Sequence, residues 1–416
     1  MKVFSLATIR FCCLLLAGWG GLPAARAGAL PGAASAVPSQ SFAAALAPGQ
    51  WKQVEDCVDR ALSWIASQQA PDGSFPTTMQ AQPAITSLCV LAFLSRGHQP
   101  GFGPYGAQMD RAIDFVMSCQ KPDGLFSYEA PDDPAGAQQG FGLGFSRGGA
   151  SRSSSGLTYD HAIAGLMLGE VFGHANAQRT KQIKQAMEKA LLFTRDLQSR
   201  TKTSPADEGG WRYLQLQYSG AADSDLSVTG WHLMFLRSAR NAEFNVPQKY
   251  IDEAMAFVHR CWFEQDGLFH YTAIGRPQSA SYSRGLMGSA IVSLSLAGQH
   301  DSPQALAAGD WLLAHPYRFF GETIGTSDRF FYSTYYCSQA AAQLGGRYWK
   351  GIYPPIADVL VKNQQPNGSF LAPAGAGFRG GRGGGSNEAS YGPSYSTALA
   401  VLSLTPAYQL LPVYQR

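Results

Sequence analysis

The chain has 416 residues, with 32 Lys and Arg against 29 Asp and Glu, giving a formal net charge of +3. Lys2, Arg10 and Arg26 belong to an N-terminal targeting stretch, and without them the balance is zero. A neutral chain has no electrostatic argument for nucleic acid, because phosphate neutralisation dominates that kind of affinity.

Residues 1–27 carry Lys2 and Arg10, then an apolar run over 11–19, then small residues ending in Ala25-Arg26-Ala27. That order predicts a secretory signal peptide with an A-x-A cleavage site. The run is too short for a membrane span, and no later segment reaches about 18 uninterrupted apolar residues. The mature chain is expected to be exported and to lack a transmembrane segment. Of its cysteines, Cys57, Cys89, Cys119, Cys261 and Cys337 remain once Cys12 and Cys13 leave with the signal. The odd count leaves at least one without an intrachain partner, and four of the five lie among apolar residues, where cysteine acts as a small buried hydrophobe. With no C-x-x-C pair, neither structural zinc nor any other metal or cofactor is expected. Residues 28–50, mostly Ala, Pro, Gly and Ser, read as a flexible leader.

The remainder, 51–416, is built on a repeat of roughly 50 residues. Its first copy runs Arg60-Ala61 … Trp64-Ile65 … Gln69 … Gly73-Ser74-Phe75. The second is Arg111-Ala112 … Phe115-Val116 … Gln120 … Gly124-Leu125-Phe126, and the third Lys189-Ala190 … Phe193 … Gln198 … Gly209-Gly210-Trp211. Weaker copies follow at Ala254 … Phe257-Val258 … Gly267-Leu268-Phe269 and Ala357 … Leu360-Val361 … Gln365 … Gly368-Ser369-Phe370. Each unit opens with an amphipathic helix, as Trp51, Val54, Val58, Ala61, Leu62 and Ile65 show by their spacing. A turn such as Pro71-Asp72-Gly73 follows, where glycine supplies positive φ and Asp bonds its own backbone. Then comes a helix that is apolar nearly all round, as over 84–94 and 162–168, and such a helix is buried on every side. The unit over 308–345 keeps its helix pair without the turn glycine. Buried helices near Ile85, Ile163, Val228, Met287, Ala340 and Leu399 make about six hairpins, and six hairpins can close into a ring. The expected fold is all-α, a single α/α toroid with a central hollow. Gly-rich insertions over 131–156 and 372–390 precede buried helices and so belong to one rim, as disordered loops or as flaps over the hollow.

The Lys/Arg-Ala-x-x-aromatic-aliphatic … Gln … Gly-x-aromatic pattern resembles the QW motif of squalene and oxidosqualene cyclases and the repeats of protein prenyltransferase β subunits. In that family the Gln bridges to the next helix beneath the stacked aromatic ring; here Phe mostly replaces the final Trp, and Trp211 retains it. Squalene–hopene cyclases carry Asp-x-Asp-Asp shortly after a Gly-Gly-Trp, and its middle Asp protonates the alkene. This chain reads Gly209-Gly210-Trp211 … Asp223-Ser224-Asp225-Leu226, so the resemblance implies Asp225 as proton donor beside Asp223, with the last Asp replaced by Leu226. Of the prenyltransferase zinc ligands, the His position is Ser333 in Tyr332-Ser333-Thr334-Tyr335-Tyr336-Cys337, and the Cys position is Asp225, which excludes prenyl transfer.

By residue type alone, Asp223 and Asp225 are also good helix N-caps. The starts of the buried helices bring together Tyr159, Asp160, His161, Arg284, Tyr332, Tyr335, Tyr391 and Tyr395, a lining that suits an apolar ligand or a stacked sugar. Of Asp160 and His161, adjacent on one helix, only one can face inward. The expectation is an exported toroid that binds a hydrophobic (polyprenoid) or carbohydrate ligand, or a protein partner, at its centre. The alternative is a terpenoid cyclase or isomerase using Asp225 as Brønsted acid.

Overall fold

The computed structural model describes residues 40–128, 154–174, 176–214, 222–274, 282–324, 328–373 and 388–415. The signal peptide and nearly all of both insertions, with Phe141, Phe145, Arg147, Arg152, Phe378, Arg379 and Arg382, lie outside them. Among the described residues, no helix is long and apolar enough to cross a membrane.

A single turn α1 (Gln40–Ala43) is followed by six helical hairpins. The first helices of the pairs are α2 (Pro48–Ser67), α4 (Gly106–Ser118), α6 (Ala177–Ser199), α8 (Gln248–Arg260), α10 (Pro303–Ala314) and α12 (Gly346–Val361). The second helices are α3 (Ala84–Ser95), α5 (Ser154–Val171), α7 (Leu226–Asn241), α9 (Arg284–Leu296), α11 (Phe330–Leu344) and α13 (Pro393–Leu404). Every residue of α3 is buried, whereas α8 buries Ala254, Met255, Phe257 and Val258 on one face. This contrast separates an inner ring from an outer one. Each inner helix packs on the next, and α13 returns to α3, so the ring closes. A hairpin of β1 (Trp262–Phe263) on β2 (Leu268–Phe269) is the one piece of sheet among the described residues.

The repeated glutamine fastens each outer helix to the following one. Gln69 Nε2 donates to Gly73 O at 3.0 Å and, across the joint, to Gln108 O at 2.8 Å in α4. Gln120 and Gln198 do the same to Ala186 O and Tyr250 O. The turn glycine must lie flat against the next helix: a Cβ on Gly73, which has φ +93°, would stand 2.3 Å from Arg111 O. The closing joint uses Gln364, which donates to Gly368 O at 2.9 Å and to Cys57 O at 2.8 Å in α2. The motif glutamine of this copy is therefore Gln364 and not Gln365, whose backbone N–H serves the turn. Where the glutamine is missing, His259 bonds Gln304 at 2.7 Å to join α8 to α10, and Tyr348 with Arg347 bonds Asp310 to join α10 to α12.

Two expectations change. The last residues of the stretch read as a leader are packed: Phe42 meets Trp349 edge-on at 4.8 Å, and Trp51 Nε1 donates to Ala43 O at 2.8 Å. The hollow does not run through the ring. Trp231 of α7 stacks on Tyr335 of α11 at 5.6 Å, although α9 separates these helices in the ring, so the contact reaches into the ring's interior. The Tyr414 hydroxyl reaches Met234 Sδ at 3.3 Å and the Tyr335 hydroxyl from below. Side chains fill the hub.

Candidate functional site

What stays open is a basin at the end where the inner helices begin. Its floor is a hydrogen-bonded line across the ring: the Tyr159 hydroxyl donates to Ser227 Oγ at 3.1 Å, and Ser227 Oγ meets the Tyr332 hydroxyl at 2.6 Å. Tyr213 and Tyr271, joined through their hydroxyls at 3.0 Å, stand on one wall, and Tyr391, 5.1 Å from Tyr395 between ring centres, on another. Tyr159, Tyr213, Tyr271 and Tyr332 are half-buried and Tyr391 is 36% exposed, while protein encloses all five and holds their hydroxyls above the usual tyrosine range by desolvation. Accessible surface on an enclosed side chain is what lining a concavity means. Arg329, directly before α11, is exposed.

Asp225 is fully buried beneath this rim. Its Oδ1 accepts the Val228 N–H at 2.8 Å and caps α7. Its Oδ2 faces Arg212 Nη1 at 3.8 Å, near the Tyr271 hydroxyl. Burial pushes the carboxyl up to about 6, against the opposing pull of Arg212. The guanidinium of Arg212 in turn lies 5.2 Å from the Tyr213 ring centre and 5.5 Å from that of Tyr271. Asp223 is spent on the loop: its carboxylate takes the Thr203 N–H, and its own N–H donates to Asp207 Oδ2 at 2.8 Å.

Several expected lining residues turn elsewhere. His161 faces outward, accepting the Phe126 N–H on Nδ1 at 3.2 Å and meeting Thr194 Oγ1 of α6 at 2.8 Å through Nε2. In three other units Thr86, Thr229 and Thr397 accept the equivalent N–H of Phe75, Trp211 and Phe370. His161 is thus the second unit's version of a structural threonine. Arg284 is buried in an ion pair, Nε to Asp328 Oδ2 at 3.0 Å, with its guanidinium 3.8 Å from the Tyr317 ring centre. It fastens the α10–α11 loop. Tyr335 belongs to the hub. Tyr395 is buried at the rim and donates to Glu388 Oε1 at 3.1 Å. Glu388 also accepts the Phe331 and Tyr332 N–H groups at 3.3 and 3.2 Å, capping α11 from another element. Asp160 is buried within electrostatic reach of Tyr391. Of the expected set, Tyr159, Tyr332 and Tyr391 line the basin, with Asp225 and Tyr395 just behind them. Arg212, Tyr213, Tyr271, Arg329 and Glu388 were not anticipated; their shared signal is position, one to fourteen residues ahead of an inner helix.

A second recess of about 500 Å³ lies at the other end, where Phe42, Gln343, Trp349 and Gln409 meet, and no charged side chain lines it. The chemistry is concentrated at the mouth.

In overall fold the chain is similar to the type II terpene cyclase MstE from Scytonema in complex with geranylgeranyl dihydroxybenzoate (TM-score 0.51, 14% identity, covering 87% of this chain and 99% of that one). It is also similar to D-mannose isomerase (TM-score 0.57, 12% identity, covering 88% and 99%). No family model matches the chain, and no curated protein matches it in sequence. At these identities the likeness establishes the fold, a terpenoid-cyclase-like α/α toroid.

Proposed function

We propose that this is an exported α/α toroid that holds a small organic ligand in the tyrosine-lined basin at its mouth, without using Asp225 as a proton donor. The supporting observation is the group of partly accessible yet desolvated side chains Tyr159, Tyr213, Tyr271, Tyr332 and Tyr391. Amphipathic rings of this kind offer an apolar face and a hydroxyl edge together. They suit a hydrophobic ligand or a carbohydrate, and the two structural neighbours act on one of each. A Brønsted acid must touch the atom it protonates. Asp225 exposes no surface, and one of its oxygens is committed to its own helix.

Native mass spectrometry of the protein purified from the export compartment reads both expectations at once: a chain processed after Ala27, and a co-purified small molecule. Incubation with squalene gives the opposing test. No cyclised product is expected from wild type, and product that disappears in Asp225→Asn would establish the cyclase reading instead.

A further inference from the structure

The recess at the end away from the mouth, about 500 Å³ in volume, falls within the usual range for a small-molecule site. A narrower groove continues from it along the end of α11, sharing Ala342, Gln343 and Gln409 with it. Among the described residues, neither is lined by a charged side chain. Gln339 and Gln343, 3% and 6% exposed, stand in this lining one turn apart on α11. Each is fastened through its nitrogen: Gln339 Nε2 donates to Leu402 O at 3.1 Å, and Gln343 Nε2 to Tyr414 O at 2.7 Å. A backbone carbonyl only accepts, so these partners fix which way each amide is turned and leave Oε1 as the acceptor. Gln415 is tied in the same way, Nε2 to Gln409 O at 2.8 Å.

Part of the remaining wall is bare backbone. Gly345 (φ +68°, ψ −163°) adopts a conformation that is essentially glycine's alone, and Gly346 follows at φ +50°. A Cβ on either would meet nothing within 4 Å. Phe42, edge-on to Trp349, adds an apolar surface. We infer that this recess binds a neutral carbohydrate, whose hydroxyls donate to Gln343 and the neighbouring amides while its C–H face lies over the glycine backbone and Phe42. A charged ligand would lose hydration here without gaining a partner ion. A wholly apolar one would strip water from the amide oxygens and put nothing in its place. A neutral polyol does neither. Amides at i and i+4 on one helix, about 5–6 Å apart at Cβ, also match hydroxyls on opposite sides of one sugar ring.

The test uses the full mature chain with glucose, cellobiose and maltose as probes, by saturation-transfer NMR and calorimetry. At least one should bind wild type with a Kd of about 1 mM or tighter. Gln409→Gly keeps the left-handed backbone, at φ +52°, and the carbonyl that holds Gln415, while removing one amide of the wall. It should weaken that binding about 3-fold, the loss of one modest hydrogen bond. Gly346→Asn places a side chain that tolerates positive φ in the open space, and should weaken binding about 10-fold or more with melting unchanged. Glucuronate and glucosamine should bind no tighter than glucose. No binding of any neutral sugar by natively melting wild type would overturn the inference. So would an affinity that survives both variants, which would place the sugar elsewhere. Tighter binding of glucuronate or glucosamine would overturn the neutrality of the ligand. The basin at the mouth is judged separately, on the molecule that co-purifies.

Discussion

Replacing His161 tests what a single buried ring contributes. Since Nδ1 accepts from Phe126, Nε2 carries the proton donated to Thr194, and burial holds the imidazole neutral, pushing it down to about 3. The folded pKa is depressed below the unfolded value, so the contribution to stability is full above about pH 6.5 and is lost as pH falls toward 3. His161→Ala strands the Phe126 N–H and should cost about 1–3 kcal/mol at pH 7.5 by urea denaturation. His161→Thr, which copies the other units, should cost less and should flatten the fall in stability between pH 7.5 and 5; an unchanged slope would contradict the assignment. Neither variant should alter ligand binding at the basin. The sequence placed His161 correctly at the start of an inner helix but could not say which way it faced. The equivalence with Thr86, Thr229 and Thr397 was hidden because the loop between aromatic and acceptor varies, the pairs standing 35, 11, 18 and 27 residues apart. Arg284 was misread for a related reason: a buried ion pair and a ligand-binding arginine look alike until Asp328 is seen beside it.

Between hairpins, the joint is the unit of construction, and it was the most legible part of the chain. A glutamine recurs, followed after four or eleven residues by a glycine and two residues later by an aromatic, because each meets the same three neighbours: the next helix's carbonyls, the next helix's backbone, and the following inner helix. The closing joint is where this can be measured. A Cβ on Gly368, at φ +94°, would stand 2.5 Å from Arg60 O, so Gly368→Ala meets both backbone strain and a clash. It should cost about 2 kcal/mol or more. Gln364→Ala removes two hydrogen bonds to carbonyls and should cost about 1–2 kcal/mol, whereas Gln365→Ala should stay within about 0.5 kcal/mol. Equal effects at the two glutamines would return the motif to Gln365. The joints made by His259 and Tyr348 left no trace in the pattern, because different side chains make the same link there.

Closure of the ring could be read from counting hairpins, but the filling of its hub could not. Trp231 and Tyr335 are indistinguishable from ordinary core residues until two non-adjacent inner helices are seen to hold them face to face, and Tyr414 enters from beyond the last helix. Glu170 fixes that tail. From α5 it accepts Ser238 Oγ of α7 at 2.6 Å and the Val413 N–H at 3.2 Å, so one carboxylate ties two inner helices to the C-terminus. Burial pushes it up to about 7 from an ordinary 4.5. For an acid whose folded pKa is raised, the unfolded chain releases its proton first as pH rises. The contribution to stability is therefore full below about pH 4.5 and is lost progressively up to about pH 7. At about 1.4 kcal/mol per unit, the loss is on the order of 3 kcal/mol. Glu170→Gln keeps an oxygen for Val413, while the Ser238 hydroxyl can turn to Leu166 O, already 3.2 Å away. Taking the difference between wild type and Glu170→Gln at each pH cancels the opposing slopes of His161 and of His232, which burial pushes down to about 4. That difference should shift in favour of the Gln variant between pH 4.5 and 7 and then level off. Amide exchange over 411–415 should accelerate in wild type over the same interval and not in the variant. A difference independent of pH would mean that the carboxyl stays ionised throughout and that the tail is held by packing of Tyr414 alone.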